Sequence, residues 1–337
     1  MTASGTIAHG GALAAAAAKY GGKKEDWLDL STGVNPVSAR IPEISSDIWQ
    51  ALPDADLMES CLNAARQYYG ISKRASLIAA PGVQALIQLL PHLRPLKHAA
   101  ILGPTYGEYA HVFQTLGGGS RIINSIDNLH DETVVILVNP NNPDGRITER
   151  DSLMILAASL AQKGGLLIVD EAFCDLTPEI SIAKHAGIRG LLVLKSFGKF
   201  FGLAGVRLGF ALGHADDIAI LNKHLGPWAV SGPALVVGAF CLSDTQLISQ
   251  TTQSIHANSA LQRALLKQSG LNIIADTGLF QLVETPDAKL LYEALARQLI
   301  LTRIFKEQPN WLRLGLCKSG DERARLASAL SSGLKKP

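Results

Sequence analysis

The chain has 337 residues, 47% of them hydrophobic, and its 31 basic and 29 acidic residues give a formal net charge of +2. This length and hydrophobic content suit one large domain and one smaller domain. The near balance of charge points to neither nucleic acid nor an anionic membrane as a partner. No apolar run reaches the ~18 residues that a membrane-spanning helix needs.

The four cysteines, Cys61, Cys174, Cys241 and Cys317, lie far apart and form no C-x-x-C motif. This spacing favours reduced, mostly buried thiols in a cytoplasmic protein, and we expect no metal site. A signal peptide has basic residues before its apolar run. Near the N-terminus, "GALAAAAAKY" has none before it, and it therefore predicts a short helix.

Short apolar runs recur through the middle of the chain and predict strands. They are "SLIAA" (76–80), "HAAILG" (98–103), "TVVILV" (133–138), "GLLIVD" (165–170), "GLLVLK" (190–195) and "RLGFALG" (207–213). Apolar residues at consecutive positions are typical of strands buried on both faces, as in a mainly parallel sheet.

Helical patterns separate several of these strands. "VQALIQLLPHL" follows the first run, and "ERDSLMILAASLAQKGG" lies between the third and the fourth. Thr148 and Asp151 give the second helix a T-x-x-D capping pattern, and Gly164 ends it. Strands that alternate with helices predict an α/β fold.

After about residue 220 the pattern changes to that of a smaller α+β domain. Residues 246–270 predict a long helix, "LFQLVET", "LILTRIF" and "WLRLGLC" predict strands, and "SGDERARLASALSSGL" predicts a last helix. We therefore expect a large domain over 31–220 and a small domain over 221–337. Residues 1–30 are expected to form an arm that contributes to the small domain and the active site.

Polar residues follow the apolar runs, at the strand ends where α/β proteins bind ligands. Gly82, Val83 and Gln84 open a predicted helix, whose free N–H groups favour a phosphate, although an ordinary glycine turn has the same pattern. Tyr106 follows the second run and could stack on a heteroaromatic ring or simply belong to the core.

Two further strand ends carry candidate ligand groups. In "NPNNPDG", Asn142 precedes a proline and is biased towards an extended backbone that can aim its amide at a ligand, or it belongs to a plain turn. Asp170 ends a strongly apolar strand, where a carboxylate needs a partner. That partner is either a cationic ligand nitrogen or a structural cation.

Lys199 lies in "SFGKFFGLAGVRLGF" among glycines and phenylalanines. Partial desolvation there would lower the pKa of its amine and make it a better nucleophile, whereas a surface lysine on a glycine-rich loop is the alternative. Arg207 and Ser196 could hold a phosphate. A lysine, a phosphate grip and a carboxylate for a ring nitrogen together indicate pyridoxal 5′-phosphate, held by Lys199 as a Schiff base.

The segments "NPNNPDG", "VDEAF" and "SFGKFFGLAGVR" resemble the signatures of fold-type I aminotransferases. The resemblance implies a large domain with a mostly parallel sheet, a smaller domain and a homodimer. It implies that Lys199 forms the Schiff base and moves protons, and that Asp170 keeps the pyridine nitrogen protonated. The other implied contacts are Asn142 to the ring 3′-oxygen, Tyr106 over the ring, Gly82–Gln84, Ser196 and Arg207 to the phosphate, and Arg313 to the substrate α-carboxylate.

Two positions depart from the usual aminotransferase pattern. Phe173 stands where the superfamily usually has a tyrosine that bonds the 3′-oxygen. Leu52 stands where histidinol-phosphate aminotransferases, in a segment similar to "ALPDADLMESCLNAARQYYG", have a tyrosine that reaches the partner subunit's cofactor phosphate. Both departures count against a standard aminotransferase.

The N-terminal segment "HGGALAAAAAKYGGKKEDWLDLSTGVNP" resembles that of the threonine-phosphate decarboxylases of cobalamin synthesis. The resemblance implies decarboxylation of L-threonine O-3-phosphate to (R)-1-amino-2-propanol O-2-phosphate and CO2. The substrate is expected to be gripped by its phosphate, so that its orientation selects the bond that breaks. Candidate substrate-binding residues are His9, Gly10, Gly11, Asn35, Arg303 and Arg313.

Two other functions stay open. A phospho-amino-acid aminotransferase, similar to histidinol-phosphate aminotransferase, would share the cofactor and a phosphorylated substrate. A pyridoxal-fold protein that serves only as a binding partner would not need the residues Lys199, Asp170, Asn142 and Arg207 together. His9 by itself could also be an ordinary histidine of a terminal tail.

Overall fold

The computed structural model describes residues 10–94, 99–116 and 118–333. The strands are β1 (Leu28–Asp29), β2 (Ser76–Ala80), β3 (Ala99–Leu102), β4 (Ser120–Ile123), β5 (Val134–Val138), β6 (Leu166–Asp170), β7 (Leu191–Ser196), β8 (Gly209–Gly213), β9 (Asn272–Asp276), β10 (Phe280–Glu284), β11 (Ile300–Leu301), β12 (Arg303–Phe305) and β13 (Gln308–Gly315).

The helices are α1 (Leu13–Tyr20), α2 (Ser46–Gln50), α3 (Ala55–Tyr68), α4 (Val83–Leu89), α5 (Glu108–Thr115), α6 (Arg150–Gln162), α7 (Phe197–Phe200), α8 (Ala215–Leu225), α9 (Gly232–Ser243), α10 (Thr245–Gln268), α11 (Ala288–Arg297) and α12 (Gly320–Gly333). None of the helices in this described part of the chain is long and apolar enough to cross a membrane.

The described residues form two compact units. The small unit contains residues 10–37 and 252–333, and the large unit contains the described residues from 38 to 251. The sequence predicted divisions after residues 30 and 220. The first falls after residue 37 instead, and the second falls after residue 251 because α8 and α9 belong to the large unit. There α9 packs along α3, and α8 packs against β2 and β8, so the division falls within α10.

The large unit is built on a seven-stranded sheet with the order β2-β8-β7-β6-β5-β3-β4. Every pairing from β7 to β4 is parallel, whereas β8 is antiparallel to both of its neighbours. This confirms the predicted α/β fold with a mostly parallel sheet. All six predicted strands are present, and β4, a short strand at the edge with mostly half-exposed residues, gave no apolar signal in the sequence.

The strands are buried on both faces, which explains their unbroken apolar runs. Val134, Ile136 and Val138 of β5 join the hydrophobic cluster that also contains residues of α4, α5 and α8. Val135 and Leu137 point the other way and are also fully buried. Since side chains alternate along a strand, neither face of the sheet meets solvent at β5.

The predicted cap of α6 is wrong. The helix begins at Arg150, and its N-cap residue is Glu149, which makes no capping hydrogen bond with its side chain. Thr148 instead pairs with Asn139, whose amide accepts from the Thr148 N–H at 2.9 Å and donates to its carbonyl at 3.1 Å. The backbone of Thr148 is thus used to close the preceding turn.

The small unit contains the antiparallel sheet β12-β13-β10-β9 and the parallel pair β1-β11. Leu312 and Leu314 of β13 pack with Leu291 of α11 and Leu326 of α12 in one core. The predicted strand "LILTRIF" is divided at Thr302 into β11 and β12. The alternating, half-exposed strand β9 was missed because it carries no apolar run.

A buried ion pair joins the ends of β6 and β7. Lys195 Nζ lies 2.5 Å from Glu171 Oε2, and both side chains are almost fully buried. The carboxylate also accepts from Ser181 Oγ at 2.5 Å and from the Ile182 N–H at 2.7 Å. Close by, Tyr68 OH donates to Asp175 Oδ1 at 3.1 Å.

Asp175 gives this cluster a pH dependence. Burial raises the pKa of Asp175 from 3.8 to about 6, although Lys195 and the hydrogen bond from Tyr68 oppose the shift. A carboxyl with a raised folded-state pKa contributes stability below its unfolded pKa and loses that contribution as the pH rises through its folded pKa. The loss therefore occurs between pH 3.8 and about pH 6.

We predict that Asp175→Asn removes this loss. The melting temperature of the variant relative to the unchanged protein should rise between about pH 4 and pH 7, because asparagine stays neutral throughout. Thermal melts across this range measure the difference. Asp56→Asn, at an exposed position of α3, is the matched control for losing one negative charge. If the difference in melting temperature does not vary with pH, ionisation of Asp175 costs the protein no stability and the prediction is wrong.

Candidate active site

The predicted site residues of the large unit lie at one edge of its sheet. In parallel strands the carboxyl ends meet at the same edge, and β2, β3, β5, β6 and β7 each lead into a segment that carries one or more of them. Arg207 reaches the same edge from the other direction, because it precedes the antiparallel strand β8. The topology thus collects residues that are far apart in the sequence.

Strand register sets the direction of Asp170. Its registered neighbours are Val138 on β5 and Leu194 on β7, and both belong to the cluster shared with α4 and α5. Asp170 therefore faces that side of the sheet. Ser196, two residues beyond Leu194, continues on the same side, whereas Lys195 faces the opposite side with Glu171.

Two donors hold the Asp170 carboxylate. Tyr109 OH donates to Oδ2 at 2.6 Å, and the Ala172 N–H donates to Oδ1 at 2.8 Å. Burial, followed by the Asp170 charge, raises the pKa of Tyr109 well above its ordinary value, so the phenol stays a donor. The sequence analysis missed Tyr109, because a buried tyrosine at the start of a helix carries no sequence signal of a polar partner.

Gly82 and Arg207 form a close contact at the end of β2. A Cβ atom on Gly82 would lie 2.5 Å from Nη2 of Arg207, and Gly82 has a left-handed φ of 82°. The exposed Arg207, itself at φ 53°, donates to the Ala204 carbonyl at 3.2 Å. Only glycine leaves room here for the guanidinium beside the Val83 amide.

Tyr106 and Gln84 are brought together as predicted members of the site. Tyr106 OH donates to Gln84 Oε1 at 3.1 Å, and Gln84 Nε2 donates to Glu108 Oε2 at 2.8 Å. The Tyr106 ring meets the Tyr109 ring edge-on, with centroids 6.2 Å apart. Because both polar atoms of the Gln84 side chain are engaged, its main chain is the part left to meet a phosphate.

Lys199 lies on the short helix α7, which three buried phenylalanines anchor: Phe197, Phe200 and Phe201. Lys199 itself is half-buried. Its Nζ lies 4.9 Å from the centre of the Phe173 ring, which places an apolar face beside the amine where the aminotransferase pattern has a tyrosine. The phenylalanines of this stretch are thus explained by packing.

Asn142 lies in the turn after β5, and its neighbours fix that turn. Asn141 Nδ2 donates to the Pro104 carbonyl at 2.8 Å and to Asp144 Oδ1 at 2.7 Å. Thr105 Oγ1 donates to Asn141 Oδ1 at 2.7 Å. These bonds tie the segment after β3 to the segment after β5, so Asn142 is presented from a rigid turn.

The predicted substrate residues Gly10, Gly11, Asn35, Arg303 and Arg313 all belong to the small unit, and His9 lies outside the described residues. Arg303 on β12 is in direct register with Arg313 on β13. Directly paired positions share one face of a sheet, where like charges destabilise each other unless an anion compensates them.

Arg313 is buried and Arg303 is half-buried. Burial, helped by the charge of Arg303 and opposed by Asp29, lowers the pKa of Arg313 to about 10, so the guanidinium is charged at neutral pH. Arg303 and Ser31 line a cavity of about 870 Å³ within the small unit. Asn35 is buried, and its Oδ1 accepts from the Val37 N–H at 3.0 Å.

Residues 10–94, 99–116 and 118–333 contain no group of three or more His, Cys, Asp and Glu side chains that could hold a metal ion. The sheet edge carries the amine of Lys199, the carboxylate of Asp170 and, in Arg207, a guanidinium that can bind an anion.

Comparison with known proteins finds relatives over nearly the whole chain. The chain is 47% identical to the threonine-phosphate decarboxylase of a Sinorhizobium species, over 97% of this chain and 98% of that protein. It is 41% identical to the threonine-phosphate decarboxylase of Pseudomonas aeruginosa, over 98% and 99% respectively. The histidinol-phosphate aminotransferase of Aeromonas hydrophila is more distant, at 29% identity over 92% of each chain.

The fold is also found in solved structures. Histidinol-phosphate aminotransferase from Sinorhizobium meliloti, in complex with pyridoxal-5′-phosphate, superposes with a TM-score of 0.81 at 18% identity, over 99% of this chain and 97% of that one. The family model of aminotransferase class I and II matches residues 25–330. The chain therefore belongs to the aminotransferase class I and II family.

Proposed function

We propose that the chain decarboxylates L-threonine O-3-phosphate to (R)-1-amino-2-propanol O-2-phosphate and CO2, with pyridoxal 5′-phosphate as cofactor, in cobalamin synthesis. The observation that carries the choice of reaction is the identity, over nearly the whole chain, with two proteins named threonine-phosphate decarboxylase. The geometry of the large unit supports the cofactor, and the paired arginines of the small unit support a substrate with two anionic groups.

The residues at the sheet edge fit this cofactor. The cradle at Gly82, which a Cβ atom would fill against Arg207, suits a phosphate, because a guanidinium and nearby main-chain N–H groups are its usual ligands. Ser196, on the same side of the sheet as Asp170, adds a hydroxyl to that grip. Tyr106 is the ring-stacking residue, and Asn142 is the partner of the ring 3′-oxygen.

When bound, pyridoxal 5′-phosphate supplies an electron sink for the pair released when the Cα–carboxylate bond breaks. Asp170, buried and held by Tyr109 and Ala172, holds the proton on the ring nitrogen. Lys199 would hold the cofactor through Nζ. Once the substrate amine had displaced it, the same Nζ would be free to carry the proton that replaces CO2 on Cα. The Phe173 ring beside Nζ limits the access of water to that amine.

Arg313 and Arg303 decide how the substrate lies. We assign Arg313 to the α-carboxylate and Arg303, at the cavity of the small unit, to the phosphate, with Asn35 and the segment His9 to Gly11 completing the substrate site. Two fixed anion contacts prevent rotation of the substrate and so select the bond that breaks. A decarboxylase needs this selection, because loss of the Cα proton instead leads to transamination.

The second candidate is a phospho-amino-acid aminotransferase similar to histidinol-phosphate aminotransferase. The more distant relatives of that name support it, and the site would serve both reactions. Two positions count against it: Phe173 cannot donate to the 3′-oxygen, and Leu52, which replaces the tyrosine of that pattern, is an exposed apolar residue.

We further propose a homodimer. Trp49 and Leu52 are each 66% exposed and Trp228 is 58% exposed. Trp49 lies on α2, whose Ile48 carbonyl would be 2.9 Å from a Cβ atom on Gly232, four residues after Trp228. Large exposed apolar side chains in one region are typical of a protein interface.

We also propose a cytoplasmic location, because all four cysteines are free, buried thiols.

The function is tested by supplying the purified, cofactor-loaded protein with L-threonine O-3-phosphate and measuring CO2 and aminopropanol phosphate. We expect stoichiometric release of both. Histidinol phosphate with 2-oxoglutarate, assayed in parallel for glutamate, tests the aminotransferase. If the protein forms glutamate in the second assay but releases no CO2 from phosphothreonine in the first, the proposed decarboxylase is wrong and the aminotransferase is supported.

Lys199→Ala is the control for the chemical step. The variant should lose CO2 release by at least about 10³-fold, since the proton donor is removed. Substrate turnover by this variant at the rate of the unchanged protein would disprove the role of the lysine.

The phosphate cradle is tested with Gly82→Ala. The methyl group should push the Arg207 guanidinium away, and the protein should retain about tenfold less cofactor after dialysis, the loss of one charge-assisted contact. Cofactor absorbance after equilibrium dialysis measures this. Gly164→Ala is the matched control, since Gly164 has a left-handed φ of 66° but nothing within 4 Å. Equal losses in both variants would mean that backbone strain, and not the cradle, is responsible.

The dimer is tested by light scattering. The protein should have twice the mass of the 35.8 kDa chain, and Leu52→Lys should shift it towards the monomer, because a charge would be buried in the interface. A mass of one chain at all concentrations would contradict the proposed dimer.

A further inference from the structure

The turn that follows β1 connects the N-terminal glycines with the arginine of β13. Ser31 is 2% exposed, and its Oγ accepts from the Gly11 N–H at 2.7 Å while it donates to Asp29 Oδ1 at 2.5 Å. The Ser31 N–H donates to the same carboxylate oxygen at 2.9 Å. Asp29 thus fixes both the backbone and the hydroxyl of Ser31.

The carbonyl of Ser31 meets Arg313. Arg313 Nη2 donates to the Ser31 oxygen at 2.7 Å, within the buried interior of the small unit. The next glycine of β13, Gly315, donates its N–H to the Leu30 carbonyl at 2.7 Å. The turn and the strand are therefore in contact at two successive carbonyls, which gives the guanidinium a defined anchor.

Gly10 touches the same carbonyl from the other side. A Cβ atom on Gly10 would lie 2.4 Å from the Ser31 oxygen and 3.0 Å from its carbonyl carbon. Gly10 is not among the glycines with a left-handed φ, so the demand for glycine is steric. Any larger residue must displace the oxygen to which Arg313 is bonded.

Arg313 needs such an anchor because Arg303 lies opposite it in the sheet. The two cations repel each other, and in the absence of an anion the buried guanidinium would turn towards other acceptors. The Ser31 carbonyl and the charge of Asp29, which raises the pKa of Arg313 against the effects of burial and Arg303, oppose that rotation.

We propose that Gly10, Gly11, Ser31 and Asp29 are positioning residues that orient Arg313 for the substrate carboxylate, and that the two glycines act through Ser31. The Gly11 N–H is already bonded to Ser31 Oγ. The small size of Gly10 is needed for the Ser31 carbonyl, whose oxygen would lie 2.4 Å from an added Cβ atom. The inference rests on the proposed function, since that function assigns the carboxylate to Arg313.

The test is a double-mutant cycle of Gly10→Ala and Arg313→Met, with kcat and KM for L-threonine O-3-phosphate. Gly10→Ala should raise KM about tenfold and lower the fraction of turnovers that release CO2, because the disturbed contact both binds the carboxylate and selects the bond that breaks. In the Arg313→Met background, the same change should raise KM less than about twofold, because the contact it disturbs is already absent. Additive effects, or unchanged KM in Gly10→Ala, would overturn the inference.

Two further variants separate positioning from folding. Ser31→Ala keeps the carbonyl and the N–H bond to Asp29 but removes the two hydrogen bonds of the hydroxyl, to Gly11 and Asp29. It should therefore raise KM as well, but by less. Gly320→Ala, in the same unit with nothing within 4 Å of the added methyl group, should leave kcat, KM and the melting temperature unchanged. An unchanged KM in Ser31→Ala would contradict a positioning role of this side chain.

A crystal structure of Gly10→Ala gives a readout that does not depend on the substrate. We expect the Ser31 oxygen to move and its hydrogen bond to Arg313 to break. If Ser31 and Arg313 keep their positions in this variant, the inference is wrong, regardless of which substrate the enzyme uses. If instead the unchanged protein releases no CO2 while Gly10→Ala still displaces Arg313, the proposed function fails and the positioning role remains.

Discussion

The buried ion pair between Lys195 and Glu171 is the interaction on which the site in the large unit depends. It joins the ends of β6 and β7. Asp170 directly precedes Glu171, and Ser196 directly follows Lys195. Removing one partner of such a pair leaves a buried, uncompensated charge and costs about 3–5 kcal/mol. The pair thus fixes the strands that carry the carboxylate and, through α7, the lysine of the site.

The alternation of side chains along a strand then divides the chemistry. Glu171 and Lys195 point to one side of the sheet and form the structural cluster with Ser181. Asp170 and Ser196 point to the other side, where Tyr109 lies. Two lysines four residues apart in the sequence therefore have different tasks: Lys195 is committed to Glu171, and Lys199 lies beyond the end of the strand.

The sequence predicted the large sheet well, because strands buried on both faces must be apolar throughout. The candidate ligand groups were chosen at the ends of these strands, since polar residues directly after an apolar run are conspicuous in the sequence. The sequence could not predict the half-exposed strands β4 and β9, or that α8 and α9 belong to the large unit. Those assignments depend on packing partners that are distant in the sequence.

Site residues were predicted only where their chemistry is unusual in its local context. A lysine among phenylalanines and an aspartate after an apolar run stand out, but Tyr109 and Ser31 are ordinary residues until their partners are known. Gly10 was predicted to approach a ligand, and its close neighbour in the structure is the Ser31 carbonyl. The distinction requires coordinates, because both explanations demand a small residue.

The most direct test of the central claim is to map the cofactor linkage. The cofactor-loaded protein is reduced with borohydride, digested, and analysed by mass spectrometry. The division of tasks between the two lysines predicts the pyridoxyl group on Lys199, with Lys195 unmodified. A pyridoxyl group on Lys195 would contradict it, since that amine would then have left Glu171 and crossed to the other face of the sheet.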